Sequence, residues 1–573
     1  MKHALDMALG FRRRRMGDEA RALARVAAAE RQRTGEDARV LDTAQAAMRS
    51  LLGGRPNPLH LGSALSSRRE PFPVLLDSAE AWGGGHWAVT GATGAGKSYL
   101  ALALLLQRLR QRFGGLVVVD LKGELAQLLR KVVLPSFIAE VGARDPEAAL
   151  RLASKVAILA PFDPDAVPPF QVLARDRGLS IQEQAHEVAS SFGRTIGRDL
   201  GVIQETVLRY ALQLAIDAGY NLLDVARLLV DDDMRRAALE RTQLEDVKHY
   251  FATRFPRERA GSVGSLLSRL DSLTMYPGLR RMLSAKGMVR LPVLIEDAVT
   301  IIDLGGAPAG MREVPQFLGQ LFFQKLVRAI FARRVSLDGR TPPVTVVADE
   351  FQELLGPEVA RDFERVLTLA RSQRCFLWLL FQQAAQLEAV SPTLLRLLRT
   401  NTNYQAIFRS NIEDARHFSH VLPVTGRVVH ETAGFPDPRQ AERFLTADDE
   451  RRELVELVPR MPDRLFWFCN RRAAYPTLLV RSPHFDVPGM RRRAEALPRE
   501  LRDMVTRGVV ALEPEAAGPG RGDDRAKPAA TPGTGSGVTR EAVGSRPPPP
   551  GERDAAAPDP TAADARPRRL SLG

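Results

Sequence analysis

Short runs of consecutive apolar residues recur along most of this chain, each closed by a turn signal or a helix-like stretch. They are Trp87–Val89, Leu116–Asp120, Val156–Ala160, Val299–Asp303, Val344–Ala348, Phe376–Leu380, Tyr404–Phe408, Leu465–Cys469 and Thr477–Val480. Continuous rather than alternating hydrophobicity marks strands covered on both faces. Helical patterns separate several of them, so the expected fold is α/β with a mostly parallel sheet. From about Leu179 to Ala285 the period changes. Apolar residues there fall three and four apart, as in 181–189, 205–215, Asn221–Leu229, Asp233–Leu239 and Gly264–Leu273, and no strand is legible. The pattern predicts an all-α subdomain, residues 179–285, inserted into a core made of residues 56–178 and 286–490.

The ends read differently. Residues 1–55 form a charged helical region containing the Ala-rich stretch Asp18–Glu30, and Gly53–Pro58 breaks it from the core. Residues 491–512 read as a helical extension. Residues 513–573 are dominated by Ala, Pro, Gly, Arg and Asp, with a proline run at Pro547–Pro550. Such a tail has too few large apolar residues to bury a core, and disorder is expected.

Composition changes this picture in three respects. The 573 residues, 45% hydrophobic and 26% charged, suit a soluble protein with more than one core. No apolar run approaches the ~20 residues of a membrane span. The Arg12–Arg15 run follows the N-terminal mixed segment rather than preceding an apolar one, which argues against a secretion signal. The net charge of +13 favours a polyanionic partner, either nucleic acid or an anionic membrane face; a generally Arg-rich composition explains it as well. The two cysteines, Cys375 and Cys469, sit in apolar runs and read as reduced core residues of a cytoplasmic protein. His417 and His420 share a helical face without further ligands, so no metal cluster is expected from them.

One stretch carries chemistry on its own. Gly91-Ala92-Thr93-Gly94-Ala95-Gly96-Lys97-Ser98 fits GxxxxGK[ST], follows a predicted strand and opens a Leu- and Ala-rich helix beginning at Tyr99. That context makes it a phosphate-binding loop. The glycines let backbone N–H groups turn toward phosphate oxygens, and the helix N-terminus adds partial positive charge. Lys97 is expected to reach the β- and γ-phosphates and Ser98 to hold Mg²⁺. Val344–Ala348 then ends in Asp349-Glu350. Asp349 is expected in the magnesium shell, and Glu350 as the base that orients and deprotonates the attacking water. Phe376–Leu380 ends near Gln382-Gln383, of which Gln382 is the expected γ-phosphate sensor and Gln383 its alternative. Arg371 and Arg374 stand just before that strand, either as surface cations or as an arginine finger for a neighbouring subunit's nucleotide.

The ordered set His86, Gly91–Ser98, Val119-Asp120-Leu121-Lys122-Gly123-Glu124-Leu125, Val347–Phe351, Ala370-Arg371-Ser372, Gln382…Gln386-Leu387 and Asn401…Ile407-Phe408-Arg409 resembles the FtsK/HerA superfamily of hexameric DNA-pumping ATPases. Within it the chain is most similar to the TraG/TraD-type coupling ATPases of conjugation and type IV secretion, over roughly residues 58–485. The resemblance implies a RecA-like core with an inserted all-α domain, ATP with Mg²⁺, a homo-hexameric ring, and DNA gripped largely through its phosphates. It implies Arg371 as the finger acting across subunits, ahead of Arg374 and Arg409. Asp120 and Glu124 match a family signature in which Leu121 replaces the usual Pro, and they carry no assigned role. Coupling ATPases of this branch usually begin with transmembrane helices, and none is legible here. The expectation is therefore a cytoplasmic protein, peripheral at the inner membrane if it docks on a membrane-associated secretion partner. A HerA-like DNA-processing ATPase and a secretion-assembly ATPase that never engages DNA stand as alternatives.

Overall fold

The computed structural model describes residues 58–508 with short interruptions, the longest at 164–169, 285–290 and 432–440. The helical arm expected before residue 56 and the tail expected after residue 512 lie outside the described residues.

The strands are β1 Leu59–Ala64, β2 Phe72–Leu76, β3 His86–Thr90, β4 Leu116–Asp120, β5 Val156–Leu159, β6 Val299–Asp303, β7 Val344–Asp349, β8 Cys375–Phe381, β9 Thr402–Phe408, β10 Val428–Glu431, β11 Ala441–Phe444, β12 Leu465–Asn470 and β13 Leu478–Arg481. Eleven of them form one sheet in the order β2-β1-β13-β12-β9-β3-β8-β7-β4-β6-β5, and β10 pairs with β11 as a separate hairpin. From β9 to β5 every neighbour is parallel. From β9 through β12, β13, β1 and β2 the pairing is antiparallel. The result is an α/β, RecA-like P-loop core, with its phosphate-loop strand β3 near the middle.

The apolar runs become strands because both faces of the sheet are covered. Every residue of β3, β4, β7 and β8 is buried. Alternate side chains feed opposite layers: Leu116 and Val118 join one core cluster, Val117 and Val119 the other. Under the start of β3, Trp87 stacks against Tyr404 of β9 at 4.5 Å and meets Trp378 of β8 at 4.4 Å, so three strands share one aromatic block.

Between β5 and β6 the chain passes through eight helices, from Ile181–Thr195 to Leu291–Asp297, with no strand among the described residues. Their starts are written in the sequence. Ser180 and Glu183 form a capping box on the first, and Asn221 and Asp224 do so on the helix Leu222–Val230. The first of these helices packs on the long helix Glu313–Phe331, where Phe192 meets Phe317 at 5.8 Å, and Phe170, in the segment before it, meets Phe322 at 4.0 Å.

Two structural elements escaped the sequence pattern. The pair β1–β2 is an edge hairpin, buried on one side only, and it accommodates Pro73. The β10–β11 hairpin is short and lies off the main sheet.

Candidate functional site

Parallel strands present their carboxyl ends to one rim of the sheet, and the phosphate loop, Asp349, Glu350 and Gln382 gather there. β3 ends at Thr90 and the next helix begins at Lys97, so residues 91–96 must turn the chain back within six positions. Gly91 is the tightest point: a Cβ there would lie 2.5 Å from Cβ of Phe408. Gly96 holds φ at +111° with the Arg464 backbone 3.2 Å from where its Cβ would be. The loop is fastened on three sides. Gly91 N–H donates to the Phe381 carbonyl (3.3 Å), Ala92 N–H to that of Arg409 (2.7 Å), and Arg464 N–H to that of Ala95 (2.8 Å).

Lys97 is 4% exposed, and its ammonium donates to the carbonyls of Gly91 (2.7 Å) and Ala92 (3.3 Å). Burial holds its pKa below the usual lysine range, while Glu350 and Asp349 oppose that shift. The Ser98 hydroxyl donates to Asp349 Oδ2 at 3.1 Å. The carboxyl of Asp349 is pushed up to about 7, first by burial and then by the neighbouring Asp120 and Glu350. A hydroxyl and a buried carboxylate joined in this way form a hard oxygen donor pair of the kind that binds Mg²⁺ beside phosphates, so the residues fit that ion.

Glu350 leaves β7 in the left-handed region, with φ of 51°. For a residue with a Cβ this costs about 1–3 kcal/mol, and such strain concentrates at functional sites. Its carboxylate is held from several directions. Gln382 donates to Oε1, Gln352 donates to Oε2 at 2.5 Å, and the Lys122 ammonium lies 3.3 Å from Oε2. Gln382 follows β8 directly and lies against Glu350. Gln383 is exposed and starts the helix Ala384–Val390. Tyr99 faces the C-terminal part of the core: its hydroxyl donates to the Phe485 carbonyl at 2.8 Å, and the Arg464 guanidinium sits 4.2 Å from its ring centre. Arg464 also lines a cavity of about 680 Å³, together with Met461, Trp467 and Pro483 among others.

Asp120 is turned back onto its own loop. It accepts the backbone N–H groups of Lys122 (2.9 Å), Gly123 (2.8 Å) and Ala126 (2.9 Å), so it builds the turn after β4. Burial raises its pKa, and these N–H donors oppose the rise. Glu124, the first residue of the following helix, is exposed.

The three candidate finger arginines are separated. Arg409 is at the phosphate-loop rim, where it pairs with Asp463 at 2.9 Å. Arg371 and Arg374 lie at the opposite rim, before the start of β8. Arg371 donates to the Asn401 carbonyl (2.5 Å) and to Asn403 Oδ1 (3.0 Å). Near it His86, fully buried, accepts the Leu377 N–H at 2.9 Å. Burial and then the Arg371 charge push its pKa down to about 3, so it stays neutral and ties the start of β3 to β8.

Sequence reasoning missed Lys122 and Gln352 as partners of Glu350. It also missed Asp414, which is buried and accepts the N–H groups of Ala384 (2.7 Å) and Ala385 (3.4 Å) just after Gln382. Lys122 lay inside the quoted signature, which was the available signal. Gln352 and Asp414 had none.

Residues 59–312 match the family model described as helicase HerA, central domain. Over that stretch the chain is similar to the central domain of the HerA helicases. A search of curated sequences finds no match. Among solved structures, VirB4 of Thermoanaerobacter pseudethanolicus is 14% identical over 76% of this chain and 99% of that one, with a TM-score of 0.48. The plasmid coupling protein TrwB in complex with ADP and Mg²⁺ is 16% identical over 76% and 97%, with a TM-score of 0.47. The cytoplasmic domain of the type VII secretion ATPase EccC of Thermomonospora curvata is 16% identical over 80% of this chain and 32% of that one, with a TM-score of 0.28.

Proposed function

We propose that the chain is an ATP-driven DNA translocase of the conjugative coupling kind, working as a homo-hexameric ring. The observation that carries the reading is the joining of distant segments at one rim: Ser98 to Asp349, and Gln382 to Glu350. Lys97 exchanges its loop carbonyls for the β- and γ-phosphates of ATP. Ser98 and Asp349 would hold Mg²⁺, which when bound neutralises developing phosphate charge. Glu350 takes a proton from the attacking water, and Gln382 turns from Glu350 to the γ-phosphate. The cavity lined by Arg464, whose backbone is tied to Ala95 of the loop, takes the nucleoside. Arg371, far from its own phosphate loop, serves the nucleotide of the next subunit, which suits a ring with ATP between subunits.

Two facts favour DNA as the load: the matched family is described as a helicase domain, and the net charge is +13. Contacts to phosphates are sequence-independent and salt-sensitive. Among the described residues no helix is long and apolar enough to cross a membrane. We place the motor in the cytoplasm, reaching the inner membrane through a partner.

The test is ATP turnover with and without DNA across a salt series. DNA should stimulate turnover at low salt, and Lys97→Ala or Glu350→Gln should leave only a small residual rate. Turnover indifferent to DNA at low salt would point instead to a secretion-assembly ATPase. Undiminished turnover in both variants would remove the site assignment altogether.

A further inference from the structure

The signature Asp120–Leu125 has no role in the hydrolytic scheme above, yet it is built with care. Asp120 pairs in register with Asp349 across the β4–β7 ladder, which puts the turn after β4 beside Glu350. Three backbone N–H groups of that turn are held by the Asp120 carboxylate. Gly123 takes φ of +84°, and a Cβ there would lie 2.8 Å from Asp303 Oδ1. Asp303 is itself held by Gly305 N–H at 3.2 Å and faces the Arg130 guanidinium at 3.5 Å. The backbone beneath Lys122 is thus fixed from two strands.

The charge balance explains why a cation stands there. Asp120, Asp303, Asp349 and Glu350 are all buried at neighbouring strand ends. Lys97 spends its ammonium on the phosphate loop, and Arg130 faces Asp163 and Asp303. Among the described residues, Lys122 is the cation within ion-pair distance of Glu350. The Glu350 side chain is 9% exposed and that of Lys122 45%, so the pair spans the boundary of the site instead of lying on open surface.

We propose that Lys122 is a positioning residue for Glu350. With Gln382 on one carboxylate oxygen, and Gln352 and Lys122 on the other, the water-activating group is aimed from three anchored points. The proposal rests on Glu350 being the base. It separates Lys122 from Lys97: one lysine serves the phosphates, the other serves the carboxylate. A salt bridge that were merely superficial would contribute little, because exposed pairs are worth ~0–1 kcal/mol.

The experiment uses the full chain with Lys122→Met and Lys122→Arg, each alone and combined with Glu350→Gln. Single-turnover ATP hydrolysis and the affinity for a fluorescent ATP analogue are both measured. Lys122→Met should lower the hydrolysis rate ~10–100-fold while the dissociation constant stays within ~3-fold, and Lys122→Arg should recover most of the rate. In the Glu350→Gln background Lys122→Met should change the residual rate less than ~2-fold, because its effect runs through the carboxylate. A dissociation constant that rises in step with the rate loss would make Lys122 a phosphate ligand and overturn the proposal. An unchanged rate, or losses that multiply in the double variant, would overturn it too. Should Lys122→Met unfold, Lys122→Gln carries the same comparison. Glu350→Gln alone judges the underlying reading: if it hydrolyses ATP at the full rate, Glu350 is not the base, whatever Lys122 does.

Discussion

Replacing Asp414 tests whether Gln382 is held from behind. Asp414 lies on the helix Ile412–His417, is 1% exposed, and spends one oxygen on the N–H groups that open the helix after Gln383. Asp414→Ala removes that cap and leaves the buried Ala384 N–H unsatisfied, while the N–H of exposed Ala385 can turn to water. Loss of a cap costs about 0.5–2 kcal/mol. An unsatisfied buried N–H costs about 1–3 kcal/mol. The upper end is not reached, for two reasons. The second contact is long at 3.4 Å, and burial raises the carboxyl's pKa, so the cap already works against its own desolvation. We expect a loss of about 2 kcal/mol from the sum of these terms. Asp414→Asn keeps a carbonyl acceptor and should lose about half as much. Because Ala384 is two residues from Gln382, turnover should also fall by about tenfold, the cost of a small misplacement at a reacting centre. Urea unfolding followed by circular dichroism gives the first number, and steady-state ATP turnover at a temperature where all variants are folded gives the second. An Asp414→Ala chain within 0.5 kcal/mol of the parent would refute the energetic argument. One that is destabilised yet turns over ATP normally would show that Gln382 does not depend on this cap.

The acidic cluster sets a pH dependence of definite sign. The Asp349 carboxyl, lifted from 3.8 to about 7, must lose its proton before Mg²⁺ binds. Calorimetry should therefore find the Mg²⁺-dependent part of ADP affinity falling by up to about tenfold per pH unit below 7 and level above 8, with Asp349→Asn removing the slope. The same shift makes this group's contribution to stability largest below 3.8 and lost as pH rises through 7. An affinity flat from acid to base would reject the assignment. The finger is tested by subunit mixing. Arg371→Ala and Lys97→Ala should each be inactive, and an equal mixture should regain activity at roughly a quarter of its sites, where an intact loop meets an intact neighbour. No regain would exclude action across subunits.

The sheet was legible because its central strands are buried on both faces, and a five-residue run such as Leu116–Asp120 is too short for anything but a covered strand. The helical interval was legible through its period and its caps at Ser180 and Asn221. The edge pair β1–β2 was not, because a strand covered on one side mixes polar and apolar residues at a length too short to show alternation. At the site, the residues with a fixed local grammar were found: a glycine loop, acids after one strand, glutamine after another. Lys122, Gln352 and Asp414 act on partners that only the folded sheet brings close, and nothing in their own neighbourhood announces it.

The order of strands also governs when this protein can first become itself. β3 is wedged between β8 and β9, and the loop it carries is tied to the carbonyls of Phe381 and Arg409. A ribosome releases β3 long before either neighbour exists. During that interval β3, buried along its whole length in the finished sheet, has no edge to join, and its tryptophan no aromatic block to enter. Long-range parallel pairing is slow and exposes sticky surface while it waits. Binding of ATP should therefore appear late in synthesis, once residue 409 has emerged, and chains cut short before it should aggregate instead of binding nucleotide. Competence waits until the sheet has closed around β3, which keeps chains cut short before that point from consuming ATP.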